Sequence, residues 1–387
     1  MSIKKILGIT GIRSDYDLMY YLYRKLARDP ELDFRLLVSG AHMSSTYGNT
    51  VQQIEADDFR ILAKIESLID GNTRSARLTS AALSLLTSIH NVEAFAPDLI
   101  LYHGDREEVL IGGLLGVYLR IPSIHFFGGD HACDGNIDNP VRQAASKLST
   151  FHFVRELEHR ERLLKSGESA ERIFYVGDPS DDKFAQEDWI DCPGLLSRFS
   201  LAADWQKYAV VIHHPIAGEE NRAGEYFEQI LTGLIKKKMK AFVSYPNIDA
   251  GNKDSIEVIQ RYKDHPQFVF YKNLDRNLFV NLLRHAQFLI GNSSAGLFEA
   301  PCIGLPVINV GKRQLGRKLA QGVRFIEQNS DAIDEALSLI TIAARERQLD
   351  VSGKKMSFAE ECYRLIKTLH FQGSLAKVED PLKPLNA

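Results

Sequence analysis

The chain has 387 residues, of which 44% are hydrophobic and 25% charged, and its formal net charge is −3. This length exceeds that of a typical single core and favours two domains. The small net charge gives no electrostatic case for binding nucleic acid or an anionic membrane. No apolar stretch is long enough to span a bilayer, and no apolar targeting segment precedes the first predicted strand. We therefore expect a cytoplasmic protein whose partners include neither nucleic acid nor a membrane.

Short β-rich runs alternate with helical patterns along the whole chain. A first series of predicted strands comprises Ile6–Thr10, Phe34–Val38, Leu99–Tyr102 and Ser123–Phe127, with helical spacing over Tyr16–Arg28 and Glu107–Arg120. A second series comprises Ala209–His213, Ala241–Ser244, Phe268–Phe270, Phe288–Ile290 and Pro306–Asn309. This alternation predicts parallel sheets covered by helices. The expected fold class is α/β, with two Rossmann-like doubly wound domains.

The polar, proline-containing stretch 178–193 marks the expected join between the two series. We expect an N-terminal domain over residues 1–183, a C-terminal domain over residues 184–372 and a loose tail over residues 373–387. Ligands of such sheets bind outside the carboxyl ends of the strands. The polar turns that follow the predicted strands are therefore the candidate binding segments, and in a two-domain protein we expect them to share one cleft.

One of these turns, Gly291–Gly296, follows the apolar run Phe288–Ile290. It predicts a strand end, a turn with the hydroxyls of Ser293 and Ser294, and the start of a helix. Backbone N–H groups and the positive end of a helix dipole at one spot suit a diphosphate. Glu299, a little more than one helical turn further on, can reach a ribose hydroxyl of the same ligand.

Two turns of the first series carry weaker candidates. Arg13 follows the first predicted strand and can pair with a phosphate. Alternatively, it lies on the surface of a helix that Ser14 or Asp15 caps. His42 occupies the corresponding place after the second strand, where a single histidine is weak evidence for a ligand contact.

Acidic residues follow the next two strands of the first series. Asp105 lies beside Arg106, which keeps a carboxylate ionised, so Asp105 suits proton transfer or a sugar hydroxyl. Its alternative role is a helix cap. The glycine-flanked loop after the following strand adds Asp130, Asp134 and Asp138. Its acids do not follow the EF-hand pattern, so we interpret it as an active-site loop.

Polar residues also follow the strands of the second series. His214 can donate a hydrogen bond to a diphosphate, Asn247 lies in the turn after the next strand, and Arg313 lies in a basic turn suited to a phosphate or a uracil. Each of these turns, taken alone, is also compatible with a plain loop.

Together these turns resemble the hydrolysing UDP-N-acetylglucosamine 2-epimerases of sialic and related nonulosonic acid biosynthesis. The resemblance extends from Gly11–Tyr16 to Arg313–Arg317, and Gly291–Ser294, Glu299 and Tyr245–Gly251 carry it most specifically. It implies a GT-B-like pair of domains with UDP held mainly by the C-terminal one. It also implies a homo-oligomer, either dimer or tetramer, and a reaction that needs no metal or redox cofactor.

The resemblance also implies a role for each candidate residue. The UDP moiety would contact Arg13, His214, Asn247, Ser293, Ser294, Glu299 and Arg313, and the sugar would contact His42, Arg106 and Phe127. Asp105 and Asp138 would transfer protons, with Arg142 beside them. The family reaction removes the C2 proton, expels UDP to give a glycal, and adds water with inversion at C2.

One residue departs from the family pattern. The family strand ends in His-Ile-Glu-Gly-Gly, whereas this chain has Phe127 in the place of the glutamate. Loss of a general acid or base typically costs about 10²–10⁴-fold in rate. Three explanations stay open: Asp130 or Asp134 replaces the missing acid, Phe127 packs on the apolar edge of a 6-deoxy or 4-acetamido sugar, or the enzyme hydrolyses its substrate without inversion. We favour epimerisation, with Asp130 as the substitute.

The expected function is therefore release of UDP and a free 2-epimerised N-acetylated hexosamine from a UDP-linked N-acetylhexosamine. Two other classes of protein share the expected fold. A GT-B glycosyltransferase would need an acceptor, and a nucleotide-sugar binding protein would bind the ligand without turnover.

Overall fold

The computed structural model describes residues 4–71, 73–133, 137–317, 320–340, 357–371 and 375–378. Its strands are β1 Lys5–Thr10, β2 Asp33–Val38, β3 Ile61–Lys64, β4 Leu99–His103, β5 Ser123–Phe126, β6 Phe151–Val154, β7 Ile173–Tyr175, β8 Tyr208–Ile212, β9 Lys240–Ser244, β10 Phe268–Tyr271, β11 Phe288–Gly291, β12 Val307–Val310 and β13 Val323–Ile326. Its helices are α1 Arg13–Arg28, α2 Val51–Ala56, α3 Arg74–Phe95, α4 Glu107–Tyr118, α5 Asp138–Leu148, α6 Leu157–Lys165, α7 Pro179–Gln186, α8 Cys192–Arg198, α9 Ala223–Lys236, α10 Asn252–Tyr262, α11 Arg276–His285, α12 Glu299–Cys302, α13 Ser330–Ile340 and α14 Phe358–Thr368. Within these described ranges, no helix combines the length and the hydropathy that crossing a membrane requires.

The chain divides into two compact units. Unit 1 comprises the described residues of Met1–His131, Ile137–Asp182 and Lys355–Ala387, and unit 2 comprises those of Ala132–Asn136 and Lys183–Lys354. The division lies inside helix α7, although the sequence predicted a polar join there. The predicted C-terminal domain, 184–372, also differs from unit 2, because helix α14 packs in unit 1. Of the predicted tail, only residues 375–378 are among the described residues.

Unit 1 is built on a parallel sheet with the strand order β3-β2-β1-β4-β5-β6-β7. Successive side chains of a strand point to opposite faces, so one face packs against α1 and α14 and the other against α3 and α4. The order reverses between β1 and β4. In open α/β sheets the crevice at the carboxyl ends of such strands is the usual ligand site, and the turns with Arg13 and Asp105 begin there.

Unit 2 repeats this plan with the parallel order β10-β9-β8-β11-β12-β13. Helices α8 and α11 cover one face of the sheet, and helices α9, α10 and α13 cover the other. The order reverses between β8 and β11. The turns that carry His214 and Ser293 follow these two strands, which pair in register from Phe288 and Ala209 to Gly291 and Ile212.

Candidate active site

The buried guanidinium of Arg142 brings the predicted acids of unit 1 together. Arg142 lies in α5, is 2% exposed, and contacts the Asp105 carboxylate through Nη2. The same Nη2 atom lies 3.8 Å from Asp130 Oδ2, and Nη1 donates to the Asp130 backbone carbonyl at 3.0 Å. Burial opposes the charge of Arg142, but the carboxylates of Asp105, Asp130 and Asp138 raise its pKa. The guanidinium therefore stays charged and holds two carboxylates at one place.

Asp138 joins this group through a second arginine. Asp138 begins α5, and its Oδ1 atom lies 3.9 Å from Nη2 of Arg77, which also contacts Glu107. Nothing in the sequence pointed to Arg77, because it lies on α3, far along the chain from any predicted strand end. We call Asp105, Asp130, Asp138, Arg142 and Arg77 the acid cluster. Asp134, the other acid considered for this loop, lies outside the described residues.

The loop that carries Asp130 is fixed by close backbone contacts. Gly129 has φ of +79°, and a Cβ atom there would lie 2.2 Å from the carbonyl oxygen of His159. Asp130 Oδ1 accepts a hydrogen bond from the His131 backbone N–H at 2.8 Å and lies 3.5 Å from Nε2 of His159. These contacts hold Asp130 beside Arg142 rather than in solvent.

Phe127 lies in the core of unit 1. Its side chain is 6% exposed, its φ is +66°, and its ring packs near the ring of Phe358 from α14 at a centroid distance of 6.0 Å. The guanidinium of Arg155 lies over the same ring at 4.4 Å. The expectation that Phe127 contacts the sugar is therefore not supported, because so little of the ring is accessible. The residue fills space between a strand end and the last helix.

Three other predicted residues of unit 1 have contacts that differ from expectation. His42 is fully buried, and its two ring nitrogens lie 3.0 Å and 2.8 Å from the hydroxyls of Thr10 and Thr50, so its contact with the sugar stays a prediction. Arg13 begins α1 and pairs with Asp17 at 3.0 Å, and no side chain caps this helix. Arg106 precedes α4 and lies near the buried acids Asp15 and Glu108, whose pKa values burial raises although the positive charge of Arg106 acts in the opposite direction.

In unit 2, Asn292 connects several of the predicted residues, and it had not been singled out from the sequence. Its Oδ1 atom accepts from the His214 backbone N–H at 2.7 Å, and its Nδ2 atom donates to the His214 carbonyl at 2.8 Å. Its own carbonyl accepts from Arg313 at 3.3 Å and from Gln314 at 2.9 Å. An asparagine directly after a buried strand was the available signal. We call Asn292, His214, Ser293, Ser294 and Arg313 the turn cluster.

Asn247 lies beside the turn cluster. Its backbone N–H donates to Nδ1 of His214 at 3.2 Å, and its side chain donates to Asp249 at 2.6 Å. Asp249 in turn lies 3.6 Å from Nη2 of Arg313. The sequence-predicted residues His214, Asn247 and Arg313 are thus connected, and their cationic and N–H groups suit an anionic ligand.

The predicted helix after Ser293 is shorter than expected. Ser293 precedes a 3₁₀ turn over Ser294–Gly296, and α12 has only the four residues Glu299–Cys302, among them Pro301. Proline lacks the N–H that would extend the helix, so the expected helix dipole at this turn is small. Ser294 is exposed. The backbone at Gly291 packs closely against the end of β8, since a Cβ atom at Gly291 would lie 2.0 Å from the Ile212 carbonyl oxygen.

Glu299 has a protein partner that the sequence did not suggest. Its Oε1 atom lies 2.7 Å from Nζ of Lys183, and both side chains are largely buried. The pair holds the Glu299 carboxylate in one position, and carboxylate oxygens can accept hydrogen bonds from ribose hydroxyls.

Comparison with known proteins matches this chain to one family. A family model described as UDP-N-acetylglucosamine 2-epimerase matches residues 24–361. A Legionella pneumophila protein named UDP-N,N'-diacetylbacillosamine 2-epimerase (hydrolyzing) is 33% identical over 95% of this chain and 96% of its own. A Campylobacter jejuni protein named GDP/UDP-N,N'-diacetylbacillosamine 2-epimerase (hydrolyzing) is 27% identical over 87% of each chain.

Solved structures share the fold. The UDP-GlcNAc 2-epimerase of Methanocaldococcus jannaschii, in complex with UDP-GlcNAc and UDP, superposes with a TM-score of 0.73 at 16% identity and covers 94% of this chain and 99% of its own. The Neisseria meningitidis enzyme bound to UDP-GlcNAc gives 0.70 at 16% identity, over 87% and 92% of the two chains. The predicted GT-B-like fold class is confirmed.

Proposed function

Because this chain belongs to the UDP-N-acetylglucosamine 2-epimerase family, we propose that it is a hydrolysing 2-epimerase that releases UDP and a free, 2-epimerised N-acetylated hexosamine from a UDP-linked N-acetylhexosamine. The observation that carries this proposal is the single guanidinium of Arg142 between Asp105 and Asp130. It keeps carboxylates ionised at the carboxyl edge of the sheet, where a base must be available.

The acid cluster suits the first half of the reaction. An ionised carboxylate takes the C2 proton, the C2–H electron pair forms the C1–C2 double bond, and the C1–O bond breaks with its electrons on the departing UDP. We assign proton transfer to Asp105 and Asp138, and we assign Asp130 to the place of the glutamate that Phe127 replaces. Arg142 fixes the carboxylates in position, and fixed geometry of this kind lowers the barrier.

The turn cluster suits the nucleotide. His214, Ser293, Ser294 and Arg313 offer hydroxyl, imidazole and guanidinium groups that bind phosphate oxygens, and the carboxylate of Glu299 accepts from the ribose. We extend the proposed UDP site to Asn247 and Arg13. Stabilising the negative charge that develops on the departing diphosphate is the expected contribution of these groups.

We propose UDP-N,N'-diacetylbacillosamine as the preferred substrate, with its product used for nonulosonic acid biosynthesis. The sugar of this nucleotide carries a second acetamido group and a methyl group where N-acetylglucosamine has a hydroxyl and a hydroxymethyl group. Two relatives named for this substrate, one of them 33% identical over 95% of the chain, support the choice. These names state the substrate of the two relatives, so the substrate of this protein needs its own experiment.

The test compares purified protein on UDP-N,N'-diacetylbacillosamine and on UDP-N-acetylglucosamine, with UDP release measured by chromatography and the free sugar identified by NMR. Inversion at C2 with a higher kcat/KM for the first substrate supports the proposal. Release of a free sugar with unchanged C2 configuration would establish simple hydrolysis. Binding without turnover, or turnover only when an acceptor is present, would contradict the proposed reaction.

A further inference from the structure

Inversion at C2 needs a proton donor that the acid cluster does not provide. The proton leaves one face of the sugar ring and another must arrive on the opposite face, so a base and a separate acid are required. Asp105 and Asp130 face Arg142, and Asp138 faces Arg77. A guanidinium favours the ionised form of a neighbouring carboxyl group. The cluster therefore supplies bases, and the acid must lie elsewhere.

His103, two residues before Asp105, is the most unusual buried group near this cluster. Its side chain is 2% exposed, and within the described residues neither of its ring nitrogens has a hydrogen-bond partner. In three other buried histidines of unit 1, His42, His125 and His152, both ring nitrogens lie within hydrogen-bond distance of protein atoms. In His159, Nε2 lies 3.5 Å from Asp130 and, among the described residues, only Nδ1 has no partner. A buried polar group without a partner is destabilising. An imidazole without a partner is free to exchange a proton with a neighbouring group.

An acid on the first turn of α1 lies close to this imidazole. Asp15 Oδ1 lies 4.0 Å from Nε2 of His103, and the Asp15 side chain, at 17% exposed, is the more accessible of the two. The ring of His103 also meets the ring of Phe127 edge-on, with centroids 6.4 Å apart. Asp15 and His103 thus lie next to the position where the family has its glutamate.

The surroundings of Asp15 favour the protonated carboxyl group. Burial raises its pKa well above the usual range, and the charges of Glu108, Asp105 and Glu107 act in the same direction. The positive charge of Arg106 acts in the opposite direction and lowers the pKa of Asp15. Burial also lowers the pKa of His103 to about 4, so this imidazole is neutral at neutral pH and can carry a proton either way.

We propose that Asp15 is the acid that delivers the proton to C2 in the second half of the reaction, and that His103 is the positioning residue that holds and reprotonates it. This inference rests on the proposed epimerase function. Water attacks C1 of the glycal, the C1–C2 double-bond electrons take the Asp15 proton at C2, and a carboxylate of the acid cluster takes the proton that water loses. Over one turnover the carboxylates of the acid cluster take up two protons, one from C2 and one from water, and Asp15 gives one proton to C2. One proton is therefore released to solvent for each UDP. Asp15 recovers its proton from solvent through His103.

The test uses Asp15→Asn, which keeps the shape of the side chain and removes its acidity. Asp58→Asn, the same change at an exposed aspartate of unit 1, is the matched control. Each protein is incubated with the substrate on which the wild type is active. UDP is quantified by chromatography, and the sugar products are identified by mass spectrometry and NMR. Thermal unfolding checks that the variants are folded.

We expect Asp15→Asn to release UDP while its yield of free hexosamine falls by about 10²–10⁴-fold, with the glycal, lighter by one water, in its place. His103→Gln should release glycal as well, and the glycal fraction of the wild type should rise with pH as Asp15 loses its proton. Normal hexosamine formation by Asp15→Asn would overturn the proposal. So would a folded Asp15→Asn that releases no UDP, since Asp15 would then act in the first half. If Asp15→Asn does not fold, His103→Gln provides the test: release of glycal supports the proposal, and normal hexosamine formation overturns it. A wild type that releases no UDP would instead contradict the proposed function itself.

Discussion

One arginine, Arg142, holds two carboxylates of the acid cluster at one place. Arg142 is buried, and its guanidinium contacts carboxylates from two different loops that follow β4 and β5. The sequence placed Asp105, Asp130 and Arg142 at the ends of neighbouring predicted strands, which meet at one edge of a parallel sheet. It could not indicate that Arg142 contacts Asp105 directly, since that depends on how α5 packs against α4.

Replacing Arg142 by methionine should destabilise the protein and abolish epimerisation. The substitution removes the charged partner of the Asp105 and Asp130 carboxylates, although both keep part of their contact with solvent. We therefore expect a loss of about 1–3 kcal/mol in the free energy of unfolding. Arg160→Met, at a more exposed arginine of unit 1, should change it by less than about 0.5 kcal/mol. Urea denaturation and initial rates measure both effects. Full activity in Arg142→Met would contradict the role given to this residue.

The core position of Phe127 leads to a separate prediction. Phe127→Ala should lower the free energy of unfolding by about 3–5 kcal/mol, as is typical when a buried phenylalanine is truncated. Tyr118→Ala, at an aromatic residue that is 80% exposed, is the control and should be nearly neutral. Below the unfolding temperature, the preference between the two UDP-sugars should stay unchanged. A change in preference without a loss of stability would restore Phe127 as a sugar contact.

At the scale of elements, the carboxyl ends of β8 and β11 are joined by one asparagine. Asn292 binds both backbone groups of His214 and accepts from Arg313. Asn292→Ala should therefore weaken UDP binding at least tenfold, about 1.4 kcal/mol, because the groups of the turn cluster lose their common partner. Asn221→Ala, at an exposed asparagine of unit 2, should leave it unchanged. Calorimetric titration with UDP measures the affinity of both variants. Equal affinities of Asn292→Ala and the wild type would contradict the role of Asn292 in holding the turn cluster together.

Elements with strong patterns were predictable, and weak ones were not. The predicted strands lie within one or two residues of β1, β2, β4, β5 and β8 to β12. Strands β3, β6, β7 and β13 were not predicted, although four of the predicted strands, β5, β10, β11 and β12, are also only four residues long. The helix predicted after Ser293 failed because a 3₁₀ turn and Pro301 intervene. Propensity alone does not reveal such an interruption.

For the whole molecule, the sequence predicted two similar sheets but not the path of the last helix. Helix α14 buries Phe358, Cys362 and Ile366 in the core of unit 1. Its amphipathic pattern shows that one face is buried, but not which sheet covers that face. Arg77 was missed for a related reason, since long-range packing brings it from α3 to the acid cluster.

Buried histidines in both units make stability depend on pH. Burial lowers the pKa of His42 from the usual 6.5 to about 3, so the unfolded chain binds a proton that the folded protein does not. This contribution is complete above pH 6.5 and is lost as the pH falls toward the folded pKa, at about 1.4 kcal/mol per pH unit. His42→Gln should reduce the slope of stability against pH by that amount, and His90→Gln, at an exposed histidine, should not. Urea denaturation between pH 7 and pH 5 measures the slopes, and identical slopes would contradict the assignment.

We propose that this protein exchanges the C2 proton of a UDP-linked hexosamine with solvent and inverts that centre as UDP departs. Proton NMR of the free sugar formed by the wild-type protein in D₂O tests this reaction. We expect a product of manno configuration with deuterium at C2. A free sugar that keeps its original hydrogen and configuration at C2 would contradict it.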